Sequence, residues 1–362
     1  MGLYEIEMGR LLDGQKEHKG IGQYYIVTPE EYLLTDSLED VNGIHYTMAN
    51  IEEMLYQGCR QNIQKFAASN HNQAVYTFSI FVDSSNGMYL LYLNNHSYWQ
   101  QVSQHYFNDY TKSYKETGNE LYNRSLEQVQ IQMKFAAGAF PFRLDDLGDE
   151  IDTALDAYRQ LNEQINDHEE YMNNPPTELT PDKRQQLQQL DTDSITIIDA
   201  ILMNYDGMYA VAIRALERLQ TDLKQLDQTD DFIAYVCSSN GEGGEILTWT
   251  TLARKSNSID RIYLAKPEEE KYDIEIEQVR SQQAIRRVED QLNYWIGEIK
   301  NNAYNLEESI LYHCNKSDYL AYTEILNLGK DVLPILEKAL QFEDDRLVIE
   351  VYEMLLEDLR YG

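Results

Sequence analysis

The chain has 362 residues, of which 43% are hydrophobic, so it is long enough for about two domains with buried cores. Its 62 acidic and 30 basic residues give a formal net charge of -32. Because nucleic-acid binding depends on Lys and Arg neutralising phosphates, this charge argues against direct binding to DNA or RNA and favours a basic partner.

The sequence also predicts the cellular location of the protein. No apolar run reaches the roughly 18 residues of a membrane-spanning helix, and the first residues lack the apolar core of a signal peptide. We therefore expect a cytoplasmic protein with no membrane attachment. Cys59, Cys237 and Cys314 lie far apart without a CxxC spacing, which favours reduced, mostly buried thiols.

The N-terminal part mixes strands and helices. The runs QYYIVT and IHYTM are strand-like, and a helix is predicted from about Ala49 to Ala68. The runs VYTFSIFV and MYLLYL flank a first SSNG segment and predict a β-hairpin. Asn86 and Gly87 favour a tight turn in which both residues have positive φ.

The central part begins with a helix rich in Tyr and Gln. In QVQIQMKF, the apolar residues Val129, Ile131, Met133 and Phe135 alternate with polar ones, which predicts a half-buried strand. A long amphipathic helix is predicted to begin near Asp149. Consecutive prolines in NNPPTELTP then predict an internal linker or long loop near residues 173–182.

A second helical stretch, GMYAVAIRALERLQTDLKQL, carries an apolar stripe that is typical of a core helix. It leads into the strand FIAYVC, a second SSNG segment, GEGG and EILTW, which predict a second hairpin with a wider, more mobile tip. GEGG lacks both the P-loop spacing and a following helix, so it does not predict a phosphate site.

The C-terminal part is predicted to be helical. The charged segment KPEEEKYD separates it from the preceding region, and an apolar stripe runs through Ile285, Val288, Leu292, Ile296 and Ile299. Gly329 and Pro334 mark the junction of two short helices, and helices joined in this way resemble one or two units of a HEAT-type repeat. The predicted fold class is α+β, with an antiparallel or mixed sheet and flanking helices in residues 1–268, followed by an all-helical module in residues 269–362.

No motif in the sequence carries recognisable chemistry. The seven histidines form no HExxH motif, and no GxSxG nucleophile elbow is present. We therefore predict no catalytic residue, no metal site and no cofactor. An alternative is an enzyme whose site is assembled from distant residues, with Tyr98, Trp99 and Trp249 lining a pocket; core packing is the stronger explanation for these aromatic residues.

The acidic run DDLGDEID has three interpretations. Its oxygen atoms suit a hard cation, although the spacing departs from that of an EF-hand loop. Carboxylates are also favourable at the start of a helix, and this is the stronger explanation. The third interpretation is a docking surface for a basic protein. The candidate partner-binding residues are Asp145, Asp146, Asp149, Glu150, Asp152, Glu242, Glu245, Glu268, Glu269 and Glu270.

The order of the segments VYTFSIFVDSSNGMYLLYLN, VQIQMKFAAGAFPF, AIRALERLQTDLKQL and FIAYVCSSNG resembles an uncharacterised bacterial family, domain of unknown function 4303. The resemblance covers about Ile51 to Leu264. It implies an α+β domain without an established activity and carries no functional residues across. Families of this sort often occur in bacterial conflict loci, where small acidic proteins neutralise a cognate toxin.

These observations lead to the expectation of a non-enzymatic, acidic binding protein of the immunity type, which neutralises a toxin or another basic partner. A nucleic-acid mimic that blocks a DNA- or RNA-binding enzyme is an alternative. It requires carboxylates spaced along a stripe in the manner of phosphates.

Overall fold

A computed structural model describes residues 6, 9–10, 24–28, 31–84, 86–166, 177–203, 205–238, 253–304 and 318–361. The chain divides into two compact units. We call residues 20–240 with 252–265 the mixed unit, and residues 1–19, 241–251 and 266–362 the helical unit. The predicted α+β class is confirmed, because mixed sheets with flanking helices are followed by a C-terminal helical region. The predicted division assigned residues 1–268 to one domain, whereas residues 1–19 group here with the C-terminal helices.

The strands of the mixed unit form a five-stranded and a four-stranded sheet within the described residues. Both sheets combine parallel and antiparallel pairs. The strand order is β3-β8-β1-β2-β7 in the first and β6-β5-β4-β9 in the second. The strands are β1 (Tyr24–Val27), β2 (Tyr32–Thr35), β3 (Ile44–Tyr46), β4 (Val75–Asp83), β5 (Met88–Asn95), β6 (Phe142–Leu144), β7 (Thr177–Glu178), β8 (Thr196–Asp199) and β9 (Gln228–Ser238).

Helices of the mixed unit pack on the four-stranded sheet. The helix Tyr205–Arg218 contacts β4 and β9, and the helix Met48–Ala67 packs against Tyr205–Arg218. The helices of this unit are α1 (Met48–Ala67), α2 (His96–Thr117), α3 (Leu126–Met133), α4 (Asp149–Asn166), α5 (Pro181–Leu187), α6 (Ala200–Met203), α7 (Tyr205–Arg218), α8 (Gln220–Leu223) and α9 (Ile259–Ala265). Short 3-10 turns cover Glu120–Tyr122, Ala137–Ala139 and Thr192–Ser194.

Local sequence signals explain the best-predicted elements. The helix predicted over Ala49 to Ala68 is α1, and it begins where Thr47 and Asn50 form a capping box. The apolar stripe predicted for the second helical stretch is buried in α7 and α8, as the exposures of Met208, Val211 and Leu223 show. Cys59 and Cys237 are buried as predicted, and Cys314 lies outside the described residues.

The strand predicted for QVQIQMKF is wrong. Residues 126–133 form α3, which starts at a capping box between Ser125 and Gln128. A helix brings residues four apart onto one face, so Val129 and Met133 are buried while Ile131 is 70% exposed. The alternation of apolar residues is too short to distinguish the two structures.

The predicted hairpin exists, but its turn is longer than expected. β4 and β5 pair from Asp83 and Met88 onward, which leaves a four-residue connection. Gly87 has a φ of 54°, whereas Asn86 is not among the described residues with positive φ. Asn86 instead donates its backbone N–H and its side-chain amide to the carboxylate of Asp83, at 3.1 and 2.8 Å. The second SSNG segment and GEGG lie outside the described residues beyond Ser238.

The linker predicted near residues 173–182 is partly replaced by regular structure. Residues 167–176 lie outside the described residues. Thr177 and Glu178 form β7, which pairs in parallel with β2. Thr180 then caps α5, whose first position is Pro181.

The helical unit has one apolar core among its described residues. The segment KPEEEKYD is helical, because Pro267 starts a helix that runs through it, and the division between the two units falls at its first residue, Lys266. The predicted stripe is buried at Leu292, Ile296 and Ile299, but Ile285 lies between two helices and is 88% exposed. The helices are α10 (Pro267–Ala284), α11 (Val288–Tyr304), α12 (Asp318–Asn327), α13 (Leu333–Leu340) and α14 (Arg346–Tyr361), with a 3-10 turn at Gly329–Val332.

Candidate functional site

Five of the predicted partner-binding residues lie together at the start of α4. Asp145 and Asp146 precede the helix, and Asp149, Glu150 and Asp152 form its first turn. All five are exposed. We call these five residues the acidic α4 patch.

Among the described residues, cations pair with two carboxylates of this patch. Arg143 lies 3.5 Å from Asp145, and Lys65 donates to Asp146 at 3.1 Å. The carboxylates of the first helical turn form no ion pair with any described residue. They also cap nothing, since the residue before the helix is Gly148, whose carbonyl oxygen accepts from the backbone N–H of Asp152 at 3.2 Å. The capping interpretation is therefore reduced to a favourable interaction with the helix dipole.

The pKa of Asp152 reflects the negative charges of the neighbouring carboxylates. Partial burial raises the pKa of Asp152 above its ordinary value, and the negative charges of Asp156, Asp146 and Asp149 raise it further. Arg159 opposes the shift but does not cancel it. The first turn of α4 therefore carries negative charge that the described residues do not balance.

The remaining predicted residues do not extend this patch. Glu268, Glu269 and Glu270 occupy the first turn of α10, in the helical unit. Glu269 is only 2% exposed, so its prediction as a docking carboxylate is wrong; the helix turns it inward. Glu270 is exposed, and the structure does not describe the side chain of Glu268. Glu242 and Glu245 lie outside the described residues.

A second cluster of charged residues was not predicted from the sequence. The carboxylate of Asp231, in β9, lies 2.9 Å from Nζ of Lys134 and 3.5 Å from Nε2 of His96. The hydroxyl of Thr229 donates to the same carboxylate at 2.7 Å. We call His96, Lys134 and Asp231 the ionic cluster. Its members come from the start of α2, the end of α3 and β9, so no sequence motif connects them.

Aromatic rings surround the ionic cluster. The ammonium group of Lys134 lies 5.8 Å from the ring centre of Trp99 and 5.5 Å from that of Phe135. Trp99 also donates its indole N–H to the carbonyl oxygen of Gln130 at 3.0 Å. These contacts support the core-packing interpretation of Trp99. Trp249 lies outside the described residues.

The charges of the ionic cluster balance one another. The interaction with His96 lowers the pKa of Asp231 well below its ordinary value, with further contributions from Lys134 and Thr229 that outweigh partial burial. The carboxylate is thus held ionised by cationic and hydrogen-bonding partners of the same unit. The cluster joins helices α2 and α3 to β9 of the four-stranded sheet, whereas Asp149, Glu150 and Asp152 of the acidic α4 patch have no ion-pair partner among the described residues.

Within the described part of the chain, no group of three or more His, Cys, Asp or Glu residues is arranged to hold a metal ion. No described helix combines the length and the apolar character needed to cross a membrane.

Comparisons with models of protein families, with curated proteins and with solved structures find no match to this chain.

Proposed function

We propose that this chain is a non-enzymatic, acidic binding protein of the bacterial cytoplasm whose acidic α4 patch binds a basic protein. The partner we favour is a cognate toxin, which the protein would neutralise in the manner of an immunity protein. The resemblance to domain of unknown function 4303 is part of the same proposal, because families of this sort occur in bacterial conflict loci.

One observation carries the proposal. Asp149, Glu150 and Asp152 are exposed and neither cap the helix nor pair with a described cation. Asp231, by contrast, is stabilised by cationic and hydrogen-bonding partners within its own unit. A Lys or Arg side chain from a partner would supply the missing positive charge and accelerate association by long-range attraction.

The experiment that tests this proposal is co-expression with the product of the neighbouring gene. We expect a stable complex and relief of the toxicity of that product. The triple variant Asp149→Asn, Glu150→Gln, Asp152→Asn should weaken both effects. The control is Asp109→Asn, Glu116→Gln, Glu127→Gln, which changes the net charge equally on α2 and α3.

Two outcomes would count against the proposal. The first is that no complex and no rescue are detected with the unmodified chain. The second is that both triple variants weaken binding equally, because this would indicate a general charge effect without a specific patch.

A further inference from the structure

The hydroxyl groups of Thr77 and Ser79, in strand β4, are fully buried and have no hydrogen-bond partner among the described residues. The two residues are two positions apart on one strand, so their side chains lie on the same face of the four-stranded sheet. Such hydroxyls destabilise a fold, because they give up hydrogen bonds to water and gain none in return. Packing alone would favour an apolar residue at both positions, and the hydroxyls therefore require another explanation.

Residues 134–140, which connect α3 to β6, lie over this face of the sheet, and we call them the strap. Ser79 is directly opposite Tyr235 in β9, so these two side chains project from the same face. The hydroxyl of Tyr235 donates to the carbonyl oxygen of Phe135 at 3.0 Å, which places the strap on that face. The hydroxyls of Thr77 and Ser79 therefore point towards the strap.

Aromatic rings of the strap pack against aromatic rings of the sheet. Five rings take part, with distances of 6.0 to 6.5 Å between contacting ring centres: those of Tyr76, Tyr92, Phe135, Phe140 and Tyr235. Tyr92 and Tyr235 are directly opposite Ser79 in the two neighbouring strands. Tyr76 immediately precedes Thr77. The two hydroxyls are thus flanked by aromatic rings.

The charged groups next to the strap are paired with one another. Lys134, the first residue of the strap, pairs with Asp231, which also lies near His96 in the ionic cluster. A charged ligand would have to displace one of these partners, whereas an uncharged ligand would leave the ionic cluster intact. The face beneath the strap therefore favours an uncharged ligand that combines hydroxyl groups with an apolar surface.

The strap is attached mainly at its two ends. The hydroxyl of Tyr76 donates to the carbonyl oxygen of Lys134 at 2.6 Å, and the side chain of Phe140 is buried at the other end. The middle, residues 136–139, contains only alanine and glycine, and a Cβ atom at Gly138 would meet no atom within 4 Å. Because these small residues bury little apolar surface, moving the middle of the strap aside costs little hydrophobic free energy.

We propose that the face beneath the strap is a binding site for an uncharged saccharide, which displaces the middle of the strap when it binds. Each side-chain hydroxyl can both donate and accept a hydrogen bond, as sugar hydroxyls do. Thr77 and Ser79 are about 6 to 7 Å apart along the strand, so one sugar can contact both. The aromatic rings would pack against the C–H groups of the sugar. This site is independent of the acidic α4 patch and of the proposed partner.

The test compares the unmodified chain with the double variant Thr77→Val, Ser79→Ala, which removes both hydroxyls and nearly preserves the shape of the side chains. The control is Ser256→Ala, because Ser256 also has a buried hydroxyl with no partner among the described residues but lies just before α9, outside β4 and the strap. Each variant should be at least as stable as the unmodified chain, since it has lost an unpaired polar group. A less stable double variant would show that the two hydroxyls serve the fold and would contradict the proposal.

Thermal unfolding of the three proteins is then measured with glucose, galactose, N-acetylglucosamine, maltose and cellobiose. Sugars stabilise proteins in general through exclusion from the surface, so the informative quantity is the difference between the proteins. At least one sugar should raise the Tm of the unmodified chain and of Ser256→Ala by about 3 °C more than that of the double variant. Equal shifts in all three proteins with every sugar would overturn the proposal.

Hydrogen exchange then locates the bound sugar. The backbone N–H of Ala139 donates to the carbonyl oxygen of Ala136 at 2.8 Å. The backbone N–H of Phe140 donates to that of Ala137 at 3.0 Å. Displacement of the strap breaks both bonds, so both amides should exchange at least about fivefold faster when the stabilising sugar is present. Unchanged exchange at these amides would mean that the sugar binds elsewhere and would also overturn the proposal.

Discussion

The hydroxyl of Tyr158, in α4, donates a hydrogen bond of 2.9 Å to the backbone carbonyl oxygen of Ser84, in the β4–β5 turn. The neighbouring Arg159 donates to the carbonyl oxygen of Gly87 at 3.0 Å. The first SSNG segment is therefore fastened to the same helix that carries the acidic α4 patch. These two hydrogen bonds hold α4 against the hairpin. The carbonyl oxygens of Ser84 and Gly87 thus already accept hydrogen bonds from within the protein.

Tyr158→Phe should lower the free energy of unfolding by about 1 to 3 kcal/mol, because it leaves the carbonyl oxygen of Ser84 without its buried donor. Chemical denaturation measures the change. Tyr106→Phe is the control, since the Tyr106 hydroxyl makes no hydrogen bond with a described residue and its ring is 36% exposed; it should change stability by less than about 0.5 kcal/mol. Equal effects would show that the bond to Ser84 contributes nothing.

Gly87→Ala should be more destabilising than Gly118→Ala. Both glycines have positive φ, at 54° and 66°, so both substitutions introduce a backbone strain of about 1 to 2 kcal/mol. Only at Gly87 would the new Cβ lie close to a side chain, 2.5 Å from Cδ1 of Tyr158. The difference between the two variants in chemical denaturation, expected to be about 1 to 3 kcal/mol, isolates the packing of the turn against α4. Identical losses would contradict that packing.

Substitutions in residues 125–133 distinguish the helix α3 from the strand predicted there. Met133→Ala should cost about 2 to 5 kcal/mol, because Met133 is buried. Ile131→Ala should change stability by less than about 0.5 kcal/mol, because Ile131 faces solvent. Ser125→Ala should cost about 1 kcal/mol by removing the cap. A strand would place Ile131 and Met133 on one face and make both substitutions costly.

Asp231→Asn should destabilise the protein in a pH-dependent way. The folded protein holds the pKa of Asp231 well below its ordinary value, so the ionised carboxylate stabilises the fold above about pH 4. That contribution is lost as pH falls towards the lowered pKa. We expect a loss of about 2 kcal/mol at neutral pH that shrinks below about pH 4.

Asp109→Asn provides the control for this measurement, because Asp109 is an exposed carboxylate on α2 with a side-chain exposure of 60%. It should change the free energy of unfolding by less than about 0.5 kcal/mol. Chemical denaturation between pH 3 and pH 7 makes both comparisons. A loss for Asp231→Asn that stays constant across this range would show that its ionisation is not coupled to folding.

The parts of the fold that could be predicted from the sequence are those specified by nearby residues. The capping residues Thr47 and Asn50 fix the start of α1, and the apolar runs around Ser84 fix the hairpin. The strand predicted for residues 128–135 is wrong because Val129, Ile131 and Met133 are all apolar and occupy alternate positions. In the helix, Val129 and Met133 are buried and Ile131 is exposed, but their sequence pattern is the same as that of a strand. The Ser125 and Gln128 capping box was the signal that favoured the helix.

The candidate sites, too, could be predicted only where their residues are close together in the sequence. The acidic α4 patch is contiguous in sequence, so its carboxylates could be predicted together. The ionic cluster combines His96, Lys134 and Asp231, whose proximity depends on the pairing of β4 with β9 and is not encoded locally. Glu269 was misassigned because composition does not show which side of a helix faces the core.

The most direct test of the proposed function is the association rate of the chain with the purified product of the neighbouring gene, measured by stopped-flow fluorescence at low and high salt. We expect the rate for the unmodified chain to fall steeply with salt. The variant Asp149→Asn, Glu150→Gln, Asp152→Asn should associate at least about tenfold more slowly at low salt, and the equally charged control on α2 and α3 should stay within about twofold of the unmodified chain. An association rate that is independent of salt and equal in all three proteins would contradict the proposal that the acidic α4 patch binds a basic partner.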